Sequence, residues 1–387
     1  MTPLGLVDAG VIALAAVPAA CGSWWTILAA LALPAPRASR LASRTSRTVV
    51  VIPAHNEESN LPRTLASLAA SDPRPLEVLV VADNCTDDTA GVAAQMGATV
   101  LVRDDAGHRG KPYALDFALA ELRTRSRQPT AVVFVDADTE VAADCLGWLE
   151  RRLESGAQVV QAYYQAAPGP SDLSRLRRLA LSLVHWARPL GAARLGLGAT
   201  LKGNGMAFRW DVIADGIGGY GVTEDAAMTL DLARRGIAVA FEPHARVLGL
   251  MASDYAAART QDERWEGGRA GLFSKSIKLA LDSAFRGRLD LTGAALEVAA
   301  PPLSIVGGLA VASLGLALVT RSASLPLAVY AAGAVSGYVV VGLAAARASR
   351  RDLRAFVGLP VFLIHKAGVY ARLMTRGAPR QWERTER

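Results

Sequence analysis

Cysteine is scarce in this chain: Cys21, Cys85 and Cys145 are the only three in 387 residues. No two fall at a C-x-x-C spacing, so neither a zinc site nor a disulfide framework is indicated, and a reducing compartment suits the chain. Aromatics are few as well, at 6 %. The 51 % apolar share therefore rests on Ala, Leu and Val, which points to membrane helices beside a soluble part. No G-x-G-x-x-G follows the first strand and no G-x-x-x-x-G-K-[ST] is present, so the dinucleotide fingerprint and the P-loop are both excluded. Acids are missing where bases gather. Arg37, Arg40, Arg44 and Arg47 stand without a carboxylate among them, and residues 346–387 hold ten Lys/Arg against Asp352, Glu383 and Glu386. The body between them is slightly acidic. Basic charge that flanks apolar segments points to anionic membrane lipid as a partner and away from nucleic acid.

Residues 9–36 carry no charged side chain. At about 1.5 Å per residue this stretch can span a bilayer core of about 30 Å. It lacks a basic n-region and is too long for a signal-peptide h-region, so it is expected to be an anchor. Val298–Thr320 and Ser322–Ala346 are also uncharged, split by Arg321 and closed by Arg347, Arg350, Arg351 and Arg354. They predict a two-helix hairpin within 292–346, with Pro326 near the turn. Ala355–Ile364 is apolar but short and contains Pro360; it predicts an interfacial or re-entrant segment within the basic tail 347–387. The amphipathic stretches Leu173–Leu190 and 271–291 read as interfacial too, or as ordinary amphipathic helices of the globular part. By the positive-inside rule the N-terminus lies outside. A basic linker (37–48) and the domain 49–270 then face the cytosol, in a multi-pass protein of the cell membrane.

The domain opens with "TVVVIPAHNEE", an apolar strand followed by a polar loop and a helix-spaced run. "LEVLVVADNCTDDTA", "ATVLVRDD", "KPYALDFALAEL" and "TAVVFVDADTE" continue the alternation. Apolar strands alternating with helices predict a parallel, doubly wound α/β sheet. Ligands bind such sheets beyond the carboxyl ends of the strands, where His55–Glu58, Asp83–Asp87 and Asp136–Asp138 fall. These loops are acidic, so they would meet phosphate through a divalent cation. Asp136 and Asp138 are two residues apart, and side chains at that spacing share a side while a strand lasts. Glu224 and Asp225 precede a helix, as a pair of first-turn acids does. Gln261, Arg264 and Trp265 lie at i, i+3 and i+4 and share one helix face; the arginine can pair with a diphosphate and the indole can stack on a sugar ring.

Five motifs occur in order: "IPAHNEE", "VVADNCTDDT", "FVDADT", "VTEDAAMTLDLARRG" and "QDERW". In this set the chain resembles family 2 glycosyltransferases, inverting enzymes that use a nucleotide sugar. Within them it is similar to the membrane-embedded branch of cellulose, chitin and hyaluronan synthases. The resemblance spans residues 49–270 and implies a GT-A doubly wound mixed sheet flanked by N- and C-terminal transmembrane helices. It implies that Asp138 binds Mg²⁺ or Mn²⁺ directly, with Asp136 nearer the ribose. Asp83 would contact base or ribose, although the family often has two acids where this chain reads Ala82-Asp83. Ala54, His55 and Glu57 would border the nucleoside, and Lys111 would reach the base or the phosphates. Asp225, with Glu224 beside it, would be the base that deprotonates the acceptor. "LKGNGMAFRW" would lie beside a sugar, and Gln261, Arg264 and Trp265 would hold donor phosphates and acceptor.

Together these features imply a membrane-bound transferase moving a sugar, from a UDP-linked donor, to a glycan or lipid-linked acceptor. Polysaccharide synthesis leads on the strength of Q-x-x-R-W. Addition of one or a few sugars to a lipid is the alternative, and a non-catalytic scaffold of an export complex is a reading of another class. With one span before the domain and two after it, a glycan channel would require chains to associate or the short segment to insert; a homo-oligomer or an export partner is the partner this reading implies.

Overall fold

In the computed structural model, residues 3–37, 47–167, 169, 171–218, 223–251 and 254–377 are described. Arg40, Arg44 and most of the basic linker lie outside these, as do residues 378–387.

Eight strands make one mixed sheet in the order β3-β2-β1-β4-β7-β6-β8-β5. Four are parallel: β1 (Thr48–Ala54), β2 (Glu77–Asp83), β3 (Thr99–Arg103) and β4 (Ala131–Phe134). The other half departs from the all-parallel pattern. β7 (Met206–Arg209) runs antiparallel between β4 and β6 (Val159–Ala166); β8 (Val239–Gly249) pairs parallel with β6; and β5 (Thr139–Val141) closes the edge antiparallel to β8. β1 shows why its sequence is a run of branched apolar residues. Val49 and Val51 enter the core on one face, with Leu115 and Leu119 of α4 (Lys111–Thr124). Val50 and Ile52 enter the core on the other, with Leu61 and Leu65 of α2 (Leu61–Ala69) and Leu146 of α5 (Cys145–Glu154). A strand covered on both faces has no polar side to alternate. The short α3 (Thr89–Gln95) follows β2.

After β6 the chain runs through α6 (Asp172–Ser182), a π-helical turn (Leu183–Ala187) and α7 (Arg188–Arg194). This is the stretch read above as interfacial. It is packed inside the protein, with Leu176, Leu179, Leu183, Ala187 and Leu190 buried together with the charged Arg177 and Arg188. A single turn α8 (Trp210–Ile213), then α9 (Glu224–Arg234), precede β8, and α10 (Tyr255–Ala270) follows it. α11 (Phe273–Phe285) exposes Phe273, Leu281 and Phe285 on one side.

Four helical stretches are long and apolar enough to cross a membrane: residues 5–32 of α1 (Pro3–Ala32), α13 (Leu303–Thr320), α14 (Leu325–Ala345), and residues 350–376. The last comprises α15 (Arg350–Leu353), a 3₁₀ turn and α16 (Leu359–Arg376). The short apolar segment Ala355–Ile364, expected to be interfacial, instead runs through the 3₁₀ turn into the first six residues of α16, inside a longer helical stretch. Pro360 does not end it but sits in the first turn of α16, where no backbone donor is needed. The predicted hairpin likewise begins later, because Pro301 and Pro302 separate α12 (Leu289–Ala299) from α13. α1 packs against α14 so closely that a Cβ on Gly22 would stand 2.8 Å from the Val335 nitrogen. Thr26 Oγ1 donates to the Ala334 carbonyl at 3.0 Å across the same contact, the small-residue and hydroxyl packing that apolar helices use among themselves. Trp25, Leu183, Val306 and Tyr338 form one core here, and Ala32, Leu190 and Ala345 join the sheet's own core.

Candidate functional site

The mixed topology gathers distant motifs at one end of the sheet. β1, β2 and β4 all end there. β7 runs the other way, so the loop before it, residues 202–205, arrives at the same end. β8, aligned with β6, delivers α10 there, and α9 begins there before β8 turns back. The result is a continuous cavity of about 1580 Å³. Ala54, His55, Glu57, Asp83, Lys111, Asp136, Asp138, Glu224, Asp225, Gln261, Arg264 and Trp265 all line it, whereas Glu58 and Asp87 of the same acidic loops do not.

Two asparagines shape the loops that follow β1 and β2. Asn56 and Asn84 adopt left-handed backbones, φ 55° and 51°, a region that asparagine tolerates better than most side chains. Asn56 Oδ1 accepts from the Thr86 amide at 2.7 Å, and Asn84 Oδ1 from the Asp105 amide at 2.9 Å. His55 Nδ1 lies 2.7 Å from the Asp83 carbonyl. Glu57 Oε2 accepts from Asn60 at 2.8 Å. Asp87 binds Thr89 and the Glu58 amide, and so braces these loops. Asp83 is buried and its Oδ1 is held by Arg103 at 2.6 Å and by Asn84 at 2.9 Å.

The D-A-D residues do not continue the strand. β4 stops at Phe134, and Asp136 and Asp138 sit in the crossover to the edge strand β5. Asp136 is tied on its backbone, its amide donating to Asn204 Oδ1 at 3.2 Å while Asn204 Nδ2 donates to Thr139 Oγ1 at 2.7 Å. Lys111 Nζ donates to Asp136 Oδ1 and to the Gly203 carbonyl, and lies 3.8 Å from Glu224. Burial works against the Lys111 charge, but Asp136 and Glu224 outweigh it and raise its pKa. Asp138 is buried.

Glu224 and Asp225 open α9, and Asp225 Oδ1 accepts from the Ala226 amide at 2.8 Å. Burial pushes the Glu224 carboxyl up to about 7 against the pull of Lys111, with Asp225 adding to the rise. Burial raises Asp225 too, opposed by the Ala226 amide and by Lys202 and Arg269. A carboxylate raised toward neutrality and facing a cavity can act as a general base. On α10, Gln261 is fully buried and accepts from Arg177 Nη2 at 2.5 Å. Arg177 in turn lies 5.7 Å from the Trp265 ring centre and 3.0 Å from Asp262. Gln261 is therefore a brace for Arg177 and, through it, for Trp265. Burial lowers the Arg264 pKa, and Glu224 and Asp136 support its charge. Asp262 reaches His365 at 3.3 Å and Lys366 at 3.1 Å on α16; burial opposes its ionisation, but these partners and Arg177 hold its carboxyl down at about 2.

Cations on the cavity wall that the sequence did not single out include Arg188, Lys202 and Arg269. Lys202 lay within the quoted "LKGNGMAFRW", and Arg269 is eight residues, about two turns, beyond Gln261 on the same helix. Arg188 was hidden in an amphipathic pattern that places arginines equally well in solvent. Beyond Trp265 the cavity continues between α13, α14 and α16, where Leu303, Gly307, Val339, Leu343, Phe362 and Leu363 make an apolar arm.

Among the described residues, no group of three or more His, Cys, Asp or Glu could enclose a metal by itself. Mg²⁺ is ordinarily held by one or two carboxylates plus substrate phosphates, and Asp138 with Asp136 fits that pattern.

Residues 46–268, more than half of the chain, match the family model described as glycosyltransferase like family 2. An uncharacterised glycosyltransferase of Mycobacterium tuberculosis (strain ATCC 25618 / H37Rv) is 37 % identical over 111 residues, 29 % of this chain and 45 % of that protein. The 4,4'-diaponeurosporenoate glycosyltransferase of Staphylococcus haemolyticus (strain JCSC1435) is 37 % identical over 101 residues, 25 % of each. The chain thus spans less than half the length of the curated relatives it matches. Among solved structures, the mannosyltransferase PcManGT from Pyrobaculum calidifontis, in complex with GDP-Man and Mn²⁺, has a TM-score of 0.53 at 18 % identity, covering 87 % of this chain and 97 % of that one. That likeness concerns the fold.

Proposed function

Since the chain belongs to the family 2-like glycosyltransferases, we propose that it moves a sugar from a nucleotide sugar, UDP-linked, to an acceptor hydroxyl carried by a membrane lipid. The reaction is inverting. Asp225 takes the proton of the acceptor hydroxyl as its oxygen bonds the anomeric carbon, and the bond to the diphosphate breaks with its electron pair leaving on the nucleotide. The observation that carries this reading is the single cavity in which Asp136, Asp138, Asp225, Arg264 and Trp265 meet.

The nucleoside would lie by Ala54, His55, Glu57 and Asp83. Asp138 and Asp136 would hold Mg²⁺ or Mn²⁺, which when bound offsets charge on the departing diphosphate. Lys111 keeps Asp136 in place, and Arg264 offers a guanidinium to the phosphates. Trp265 presents an indole to a sugar. The catalytic domain faces the cytosol, on the side of the basic flanks.

Q-x-x-R-W supports a polysaccharide synthase. The apolar arm between α13, α14 and α16 supports a lipid-borne acceptor instead, because a growing glycan needs polar and aromatic walls while an acyl or isoprenoid chain needs apolar ones. The staphylococcal relative's name, a glycosyltransferase of a diaponeurosporenoate, points the same way.

The test uses full-length protein in detergent with a panel of UDP- and GDP-sugars, Mg²⁺ or Mn²⁺, and a membrane lipid extract. Release of nucleoside diphosphate is expected with UDP-sugars and is expected to stop when the metal is chelated. Asp225→Asn is expected to lose at least about a hundredfold in turnover, the scale of a general base. Normal turnover in that variant would refute the mechanism.

A further inference from the structure

The boundary between the polar chamber and the apolar arm is itself unusual. Arg188, Lys202 and Arg269 stand there against two carboxylates, Glu297 of α12, which lies within 4.0 Å of Arg188 and Lys202, and Asp225, which acts on Lys202 and Arg269 from the chamber side. Arg269 Nη2 donates to the Glu297 carbonyl at 2.8 Å. For Arg188 the pairing is incomplete. The Arg188 side chain is only 6 % exposed and sits 3.4 Å from Glu297; its Nε and Nη1, and Glu297 Oε1, are buried without a hydrogen-bond partner. The Lys202 side chain is 10 % exposed, and its nearest carboxylate is Glu297 at 4.0 Å. A buried polar group without its hydrogen bonds is destabilising, and surplus positive charge more so. Burial accordingly depresses the Lys202 pKa to about 8, which Glu297 only partly resists. Such a cluster persists when something else supplies the missing acceptors.

Its position says what. Arg188 lies 4.7 Å over the Trp25 ring of α1, against the membrane helices. Lys202 adjoins Gly203, whose Cβ position is 3.8 Å from Asp225 Oδ2. The cations thus bridge the base and the membrane side. Past them the arm is open: a Cβ on Gly307 or Gly308 of α13, both on the wall, would meet nothing within 4 Å.

We propose that this junction seats an anionic group of the lipid acceptor, a phosphate or carboxylate held by Arg188, Lys202 and Arg269, with its chain in the α13–α14–α16 gap and its sugar-accepting hydroxyl at Asp225. The inference rests on the transferase reading above and adds the chemistry of the head. The anion supplies an acceptor to Lys202 and offsets the positive charge that Arg188 and Arg269 add beside it. It also fixes the lipid's depth, since the chain cannot follow the cations into the polar chamber.

The probe is radiolabelled hexadecyl phosphate, with hexadecanol and inorganic phosphate as comparators, bound to the full-length protein in nanodiscs of neutral lipid. Hexadecyl phosphate is expected to bind about tenfold tighter than hexadecanol, the value of charge-assisted hydrogen bonds. Inorganic phosphate is expected not to displace it. Lys202→Met is expected to lose that advantage and Lys202→Arg to keep it, which separates lost charge from lost folding. Gly308→Leu, which fills the arm, is expected to weaken hexadecyl phosphate and hexadecanol alike. Equal binding of phosphate and alcohol, displacement by inorganic phosphate, or competitive displacement by UDP would each overturn the proposal; the last would assign the cations to the donor. UDP binding, measured in the same samples, tests the transferase reading separately. Protein that binds UDP but shows no preference for the phosphate refutes only the anionic head, whereas protein that binds hexadecyl phosphate but no UDP refutes the transferase reading.

Discussion

Lys111 does more in the structure than its place in a loop suggested. It joins Asp136 to the Gly203 carbonyl and lies within 3.8 Å of Glu224, so one ammonium links three motifs that are far apart in sequence. Glu224 shows the opposite balance. Burial wins over Lys111 and its carboxyl keeps a proton up to about 7. The sign for stability follows from linkage. Protonated Glu224 contributes stability that is complete below its unfolded value of about 4.3 and is lost as pH rises through the folded value. Unfolding midpoints between about pH 5 and about pH 8 are therefore expected to fall more steeply for the parent than for Glu224→Gln, which stays neutral. Parallel curves would show that Glu224 is not held protonated. Asp83 was legible as a site acid, but its partner Arg103 was not. Twenty residues separate them, and only the β2–β3 pairing, which sets Asp83 beside Arg103, makes them neighbours.

At the scale of elements, proline and glycine mattered most where their meaning depends on position. Pro360 looks like a terminator in a short apolar run, yet it starts α16. Pro301 and Pro302 do terminate, between α12 and α13. A pattern cannot tell the two cases apart, because the first turn of a helix tolerates proline and its interior does not. Gly22 sets the approach of α1 to α14. Gly22→Val would press against the backbone at Ala334 and Val335, which cannot yield as a side-chain end can. The expected loss is about 1–3 kcal/mol, the cost of overpacking, read as a lower unfolding midpoint in detergent. An unchanged midpoint would mean that the two helices do not pack through this face. The π turn at Leu183–Ala187 lies where buried His185 bonds the Tyr164 carbonyl at 3.0 Å, directly before Arg188. π-helical turns of this kind recur at functional sites.

For the whole molecule, the long apolar helices are part of the site. α13, α14 and α16 form the walls of the cavity that also holds the acids of the sheet. α16 is tied back to α10 by Asp262–Lys366 at 3.1 Å and Glu266–Lys366 at 3.1 Å, and Ser304 of α13 meets Tyr370 of α16 at 2.7 Å. An acceptor entering from the apolar arm would be delivered to Asp225 without crossing water. Products made from lipid extract are accordingly expected to carry one sugar per lipid by mass spectrometry. A ladder of many sugars would favour the synthase reading drawn from Q-x-x-R-W.

What the amino-acid order determined by itself was local. Strand runs and helix faces, the two carboxylates at Asp136 and Asp138, the Glu224-Asp225 pair and the i, i+3, i+4 set at Gln261, Arg264 and Trp265 are all short-range patterns, and backbone periodicity makes such patterns readable. Tertiary structure decided what depends on chain path: the antiparallel insertion of β7 that brings Lys202 and Asn204 to the site, and the bracing of Trp265 by Gln261 through Arg177. It also placed Arg188 and Lys202, buried, at the mouth of an apolar arm. A lone lysine or arginine reads the same whether water or protein surrounds it, and only the packing of segments far apart in sequence determines which of the two it meets.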